Sequence, residues 1–116
     1  MMLAERMELL TKRPQGTLFP PAQNRAAWEA LPADDRMDME TFIAKWRGTP
    51  YPMLLLSDYA AFVRTGSRAQ CETPYFARRR KLIAAVLDVC LHGESADLSA
   101  AEDGLWCICE ETTWAI

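Results

Sequence analysis

Apolar residues recur at helical spacing along most of the chain, and prolines or glycines separate the recurring stretches. The clearest stripe is Met39, Phe42, Ile43 and Trp46, at positions i, i+3, i+4 and i+7. A longer run, Tyr75 to Cys90, has a broad apolar face and a block of basic residues on its polar side. No stretch shows the alternation that a half-buried strand requires. The pattern therefore predicts an all-helical chain.

Polar residues in front of these stretches predict where the helices begin. The candidate N-caps, in chain order, are Asn24, Asp34 or Asp35, Ser57 or Asp58, and Thr73, with Pro74 as the first helical residue after it. Gly48, Gly66 and Gly93 follow apolar stretches and predict helix ends. A further short helix is predicted over residues 3–12. The proline-rich segment after it is predicted to be extended, with Leu18 and Phe19 docked on an apolar surface.

The connections decide how the helices are arranged. Only a few residues, from Ser95 to Leu98, separate the two last helices, so these two are expected to pack antiparallel. The chain of 116 residues fits one unit, in which residues 1–52 hold short helices with proline-rich connectors and residues 53–116 a helical hairpin region. The predicted fold class is all-α, built from antiparallel helical hairpins that could form part of an (α/α) toroid or of a solenoid.

Charge is balanced overall but unevenly distributed. The formal net charge of -3 gives no general attraction to nucleic acid. Residues 64–81 nevertheless carry six basic residues and one acidic residue, whereas seven acidic residues and no Lys or Arg follow from Asp88 onward. Two neighbouring helices with complementary faces would explain this division. A basic strip for an anionic ligand is the alternative, and the two can hold together.

Targeting signals and metal motifs are not apparent. The beginning of the chain lacks the basic region and long apolar run of a secretory signal, and no apolar stretch approaches the length of a membrane span, so a cytoplasmic protein is expected. The four cysteines form no CxxC pair, and reduced, mostly buried thiols are expected instead of a metal site or a disulfide framework. No cofactor motif is present.

Few residues can be assigned to chemistry. His92 is the only histidine, and its place at a helix end favours a capping role over that of a general base. Glu110 and Glu111 are adjacent carboxylates that diverge on a helix, so a solvated helix end is the favoured interpretation. Trp114 fits core packing or a stacking platform for a sugar. No catalytic residue is predicted.

Aromatic rings and arginines alternate in two places, residues 59–68 and residues 75–80. Arg binds carboxylate or sulfate groups with two parallel hydrogen bonds, and Tyr offers a stacking face together with a hydroxyl. The combination suits an acidic glycan. Single-stranded nucleic acid is a weaker alternative, because the chain is acidic overall.

Six short motifs lie along the chain: residues 10–14 (Leu-Thr-Lys-Arg-Pro), 16–20 (Gly-Thr-Leu-Phe-Pro), 25–29 (Arg-Ala-Ala-Trp-Glu), 64–68 (Arg-Thr-Gly-Ser-Arg), 74–79 (Pro-Tyr-Phe-Ala-Arg-Arg) and 103–111 (Asp-Gly-Leu-Trp-Cys-Ile-Cys-Glu-Glu). In this order they resemble the amino-terminal region of bacterial heparinase II/III-like proteins. The resemblance covers nearly the whole chain. It implies an (α/α) toroid and, in the whole protein, a polysaccharide lyase that acts on uronic-acid-containing glycans.

The resemblance also implies which residues line a glycan cleft, namely Arg64, Arg68, Glu110, Glu111 and Trp114. It supplies no catalytic residue, because the histidine-containing segment expected after Trp114 is absent and the lyase reaction needs both a base and an acid. The chain is thus expected to be a scaffold segment with acidic polysaccharide as the partner of the parent protein. The alternative is a stand-alone helical module that binds a protein or a second copy of itself.

Overall fold

The computed structural model describes residues 18–113, and within that range every regular element is helical. The helices are α1 (Arg25–Glu29), α2 (Ala33–Trp46), α3 (Leu56–Thr65), α4 (Ala69–His92) and α5 (Leu98–Cys109), with a 3-10 turn at Gly93–Ser95 between the last two. The prediction of an all-helical chain is confirmed at this level. The short helix predicted over residues 3–12 lies outside the described residues.

Most helix boundaries fall close to the predicted positions. The Asn24 side chain accepts a hydrogen bond from the Ala27 N–H at the start of α1, as predicted for an N-cap. At the start of α3 the carboxylate of Asp58 accepts from the Leu55 N–H at 2.8 Å, so Asp58 stabilises the helix from its first turn instead of preceding it. Gly93 ends α4 with a φ of 59°, a backbone conformation that favours glycine.

The predicted start of α4 is wrong. The helix begins at Ala69, with the Arg68 carbonyl accepting from the N–H groups of Cys71 and Glu72, and Pro74 lies inside it. Pro74 has no N–H to donate to the Gln70 carbonyl, so one helical hydrogen bond is missing there. Hydrogen bonds on either side of this gap continue the helix through the proline.

The main apolar core is small. It consists of Trp28 from α1, Ile43 from α2 and Leu91 from α4, with Leu31, Met39, Leu87 and Cys90 packed around them. Ile43, a member of the predicted stripe on α2, is 1% exposed. The Trp28 indole N–H donates to the Pro21 carbonyl at 3.1 Å, which leaves that buried nitrogen satisfied.

Arg25 ties this core to the end of α4. Its guanidinium donates to the carbonyls of Cys90 and Leu91 at 2.8 and 2.9 Å, and to that of Ala22 at 2.9 Å. The last carbonyls of a helix lack partners within the helix and carry partial negative charge, so a cation there stabilises the end. Arg25 therefore holds α1 against the carboxyl end of α4.

The segment between α2 and α3 packs against α4 and α5. The Tyr51 hydroxyl donates to the Ala100 carbonyl of α5 at 2.5 Å, and the Pro52 carbonyl accepts from Arg78 Nε of α4 at 2.6 Å. Gly104 lets Tyr51 approach α5 this closely, because a Cβ at Gly104 would overlap the Tyr51 hydroxyl. The connector thus fixes the position of α5 beside α4.

Leu18 and Phe19 differ from expectation. They are 97% and 73% exposed, so the prediction that they dock on an apolar surface is wrong for the described residues. Within residues 18–113 no helix is long and apolar enough to cross a membrane.

Candidate functional site

The strongest cluster of charged side chains joins α4 to the residues that follow α5. Arg79 donates to both oxygens of Glu111, at 2.7 Å from Nη2 and 3.2 Å from Nη1. Arg78 Nη1 lies 3.4 Å from Glu111 Oε1. The Glu111 side chain is only 1% exposed, against 11% for Arg78 and 24% for Arg79. Two arginines therefore share one buried carboxylate.

Further contacts hold each arginine in place. The Arg79 guanidinium lies 3.4 Å from the centroid of the buried Tyr75 ring, a cation–π geometry, and donates to the Tyr75 carbonyl at 3.1 Å. Arg78 donates to the carbonyl of Pro52, as described above. Burial opposes the charge on Arg79, but the hydrogen bond and charge of Glu111 outweigh burial, and the pKa of Arg79 is raised.

A cavity of about 210 Å³ adjoins this cluster. Its lining is formed by Leu54, Tyr59, Arg78, Cys107, Glu110, Glu111 and Thr112. The Tyr59 hydroxyl is buried and has no hydrogen-bond partner among the described residues. Burial and the nearby charge of Glu111 raise the pKa of Tyr59, so the phenol stays neutral and can donate a hydrogen bond. The cavity thus combines an arginine with a free hydroxyl.

The residues predicted to line a glycan cleft do not form one group. Arg64 and Arg68 are exposed, and neither lines the cavity beside Glu111. Arg68 pairs with Glu72 at 3.0 Å, and its guanidinium lies 6.0 Å from the Phe62 ring centroid. Glu110 and Glu111 both line the cavity. Trp114 lies outside the described residues.

Glu110 and Glu111 differ sharply from each other. Glu110 is exposed, as the solvated helix end predicts, whereas Glu111 is buried between two arginines. α5 ends at Cys109, so Glu111 has left the helix and can turn back toward α4. The expectation of a solvated Glu111 is wrong, because the basic face of α4 draws its carboxylate inward. The sequence feature that indicated this pairing was the opposite charge of residues 64–81 and residues 88–113.

His92 joins α2 and α4, a role that goes beyond capping. Its Nδ1 lies 2.6 Å from Asp88 Oδ1 and its Nε2 lies 2.7 Å from Glu40 Oε1. Since both acceptors are carboxylates, both ring nitrogens must carry protons for the two bonds to form. Asp88 also accepts two hydrogen bonds from Arg47. The hydrogen bond that His92 donates to Asp88 is the main cause that raises the pKa of His92.

The cysteine thiols and the possible metal ligands are the remaining candidates for a chemical role. All four cysteines are free, but only Cys71 is buried, so the expectation of mostly buried thiols is wrong. Burial raises the pKa of Cys71, which makes this thiol a weaker nucleophile. Across residues 18–113 no three His, Cys, Asp or Glu side chains stand close enough to hold a metal ion.

Comparison with known proteins adds no family. No model of a known protein family matches the chain, and no curated protein matches it significantly. The resemblance to heparinase II/III-like proteins therefore rests on the six sequence motifs alone.

Proposed function

We propose that the chain is a helical scaffold segment of a heparinase II/III-like protein, which contributes to a cleft for acidic polysaccharide and performs no elimination alone. The observation that carries the proposal is the cavity beside Glu111, where Arg78 and the partnerless Tyr59 hydroxyl lie together. A sugar offers hydroxyl and carboxylate oxygens as acceptors for both groups. Arg78 lines the cavity together with the carboxylates of Glu110 and Glu111, and Arg79, which pairs with Glu111, adds a second positive charge.

The helix arrangement fits the same proposal. Along α4 and α5 the contacting residues run in opposite order, since Arg78 meets Cys107 while Leu82 approaches Gly104. This order supports an antiparallel hairpin, which in the proposal is one repeating unit of an (α/α) toroid. In a toroid each hairpin packs against the next, so one unit alone leaves apolar residues uncovered. This is the basis for assigning the chain a scaffold role.

The Tyr59 hydroxyl offers a test that separates binding from folding. In Tyr59→Phe the ring is kept, and the oxygen that is removed has no partner among residues 18–113, so we expect thermal stability to be unchanged or slightly higher. We expect binding of a uronate-containing oligosaccharide to weaken about three- to tenfold, the worth of one hydrogen bond. Titration calorimetry measures the affinity, and thermal unfolding measures the stability.

Tyr51→Phe is the matched control. It deletes the same atom from a tyrosine that does not line this cavity and whose hydroxyl donates to the Ala100 carbonyl. It should lower stability by about 1 kcal/mol and leave glycan affinity unchanged. Equal affinity of wild type and Tyr59→Phe for the oligosaccharide would show that this cavity is not the glycan-binding site.

Self-association is the second candidate function, and exposed apolar residues favour it. Leu56 and Val63 on α3 are 80% and 87% exposed, and Trp106 on α5 is 70% exposed. Where exposed apolar residues form a contiguous patch, that patch usually contacts another protein surface. An evolved self-association module forms one defined oligomer, whereas a scaffold segment with uncovered faces associates without fixed stoichiometry.

Sedimentation velocity distinguishes the two candidates. The scaffold proposal expects a distribution that broadens with concentration, and replacing Leu56 and Val63 together by Ser should shift it toward monomer. Ala44→Ser, at an exposed position on α2, is the control and should change nothing. A single sharp dimer or higher oligomer at all concentrations would favour the interaction module.

A further inference from the structure

Lys81 is a charged residue that is buried, as the Glu111 side chain is, but that has no ion-pair partner among the described residues. It lies in the middle of α4 and is 7% exposed. Its ammonium donates to the Trp46 carbonyl at 3.3 Å and lies 5.0 Å from the centroid of the Tyr51 ring. No carboxylate of residues 18–113 forms an ion pair with it. A buried charge without an anionic partner is costly, so this position calls for an explanation.

Two spaces meet at Lys81. A small, partly open cavity of about 60 Å³ lies between α2, α4 and α5, and a more open groove of about 400 Å³ runs from there along the connector. Gly48, Lys81, Asp97 and Ala100 line both. Trp46 lines the small cavity, and its buried indole N–H has no acceptor among the described residues. Two buried donors, the ammonium and the indole, are thus left with unused hydrogen-bonding capacity around one space.

The rim of the groove has the opposite charge. Asp97 and Asp103 line it, and both are exposed. The Asp97 carboxylate accepts from the Ser99 N–H, which fixes it at the start of α5. A simple anion that entered to reach Lys81 would pass these carboxylates and be repelled. A ligand with an anionic group for Lys81 and a cationic group for the rim meets complementary charge at both ends.

We propose that this groove binds a small amino carboxylate, with its carboxylate on Lys81 and its ammonium toward Asp97 and Asp103. The groove shares no lining residue with the cavity beside Glu111, so the site is independent of the proposed polysaccharide cleft. Its size admits molecules of amino-acid dimensions. The Tyr51 ring, which also lines the groove, supplies an apolar wall for the carbon chain.

The test uses the purified chain and a series of probes at matched ionic strength. The probes are glycine, 4-aminobutanoate and 6-aminohexanoate, with acetate and methylammonium as single-charge comparisons. We expect at least one amino carboxylate to raise the unfolding temperature and to bind at least about tenfold more tightly than acetate or methylammonium by calorimetry. The chain length that binds best reports the distance between the two recognition points.

Variants assign the two ends. Lys81→Met keeps an unbranched side chain, one heavy atom shorter, and replaces a buried charge by an apolar group, so the fold should be retained while binding is lost. Lys45→Met, at an exposed lysine of α2, should bind as wild type does. Asp103→Asn should lower the affinity for the amino carboxylate and bring it closer to the affinity for acetate.

Three results would overturn the proposal. If acetate bound as tightly as every amino carboxylate, recognition of the ammonium group of the ligand would be excluded. If Lys81→Met bound the amino carboxylate as tightly as wild type, a role of Lys81 in binding would be excluded. No response to any probe would mean that the Trp46 carbonyl, the Tyr51 ring and solvent are sufficient to stabilise the charge of Lys81. None of these results would bear on polysaccharide binding at Tyr59.

Discussion

Glu111 illustrates how a single carboxylate can organise the end of a chain. It receives hydrogen bonds from Arg78 and Arg79 while its own side chain is 1% exposed. Removing one partner of a buried charge group leaves the others uncompensated, which costs more than the group contributes when complete. The cavity proposed for glycan binding therefore depends on Glu111 for its shape, whatever ligand it takes.

The adjacent pair Glu110 and Glu111 provides a matched comparison. We expect Glu111→Gln to lower the free energy of unfolding by about 3 kcal/mol, because two arginines then share a neutral amide. Glu110→Gln changes an exposed residue by the same atoms and should stay within about 0.5 kcal/mol of wild type. Urea unfolding monitored by circular dichroism measures both. Equal effects of the two substitutions would contradict the buried cluster.

The sequence predicts residue roles unevenly. Asn24 as a cap and Ile43 as a core residue follow from local rules of capping and spacing, and both are confirmed. The burial of Glu111 and Lys81 does not follow from such rules, because each depends on which helices meet in three dimensions. Charge asymmetry indicates that some pairing will occur, but it does not select the residues.

At the scale of elements, His92 and Arg47 join α2 to α4 through carboxylates. His92 lies between Glu40 of α2 and Asp88 of α4, and Arg36 lies 4.0 Å from Glu40 on the other side. Burial opposes the charge on Asp88, but hydrogen bonds from Arg47 and His92 outweigh it and lower the pKa of Asp88. The carboxylate therefore remains ionised wherever the imidazole titrates, and the protonation of His92 controls this contact.

Stability should consequently fall as the pH rises through the raised pKa of His92. The contribution of His92 is fully present below its ordinary pKa of 6.5, and it is lost as the folded-state imidazolium deprotonates. We expect the free energy of unfolding to decline across this range, measured from pH of about 5.5 to about 8. The chain has one histidine, so His92→Gln should remove the decline. A decline that persists in His92→Gln would exclude this origin.

Element boundaries were predictable where a local signal decides them. Gly66 and Gly93 end α3 and α4 with positive φ angles, as glycines after apolar stretches suggest. The start of α4 was not predictable from Thr73 and Pro74, since a proline is also tolerated within a helix when neighbouring bonds continue it. The turn before Pro74 is stabilised by the Arg68–Glu72 pair, a contact visible only once that turn is helical.

The whole molecule has a small core and a large apolar surface. Trp28, Ile43 and Leu91 form the main core, while apolar residues of α3 and α5 remain exposed. The helical fold class was predictable because spacing alone reveals it. A partner for the exposed helix faces was not predictable. The sequence shows that apolar residues are present on these faces, but it does not show what they contact.

A chain with this role should lack the lyase reaction. Elimination beside a uronate carboxylate requires a positioned base and acid, and the cavity beside Glu111 offers a neutral Tyr59 hydroxyl with a raised pKa and no histidine. We expect no unsaturated uronate product when the purified chain is incubated with acidic polysaccharides. Ultraviolet absorbance of the product measures this, and steady formation of product would contradict the scaffold role.

Binding of a uronate-containing oligosaccharide to the purified chain, compared with a neutral oligosaccharide of equal length, tests the central claim most directly. Isothermal titration calorimetry should detect binding of the acidic ligand, weakened by added salt because Arg78 contributes charge, and little binding of the neutral one. Equal binding of both ligands, or no binding of the acidic ligand at low salt, would contradict the proposed polysaccharide cleft.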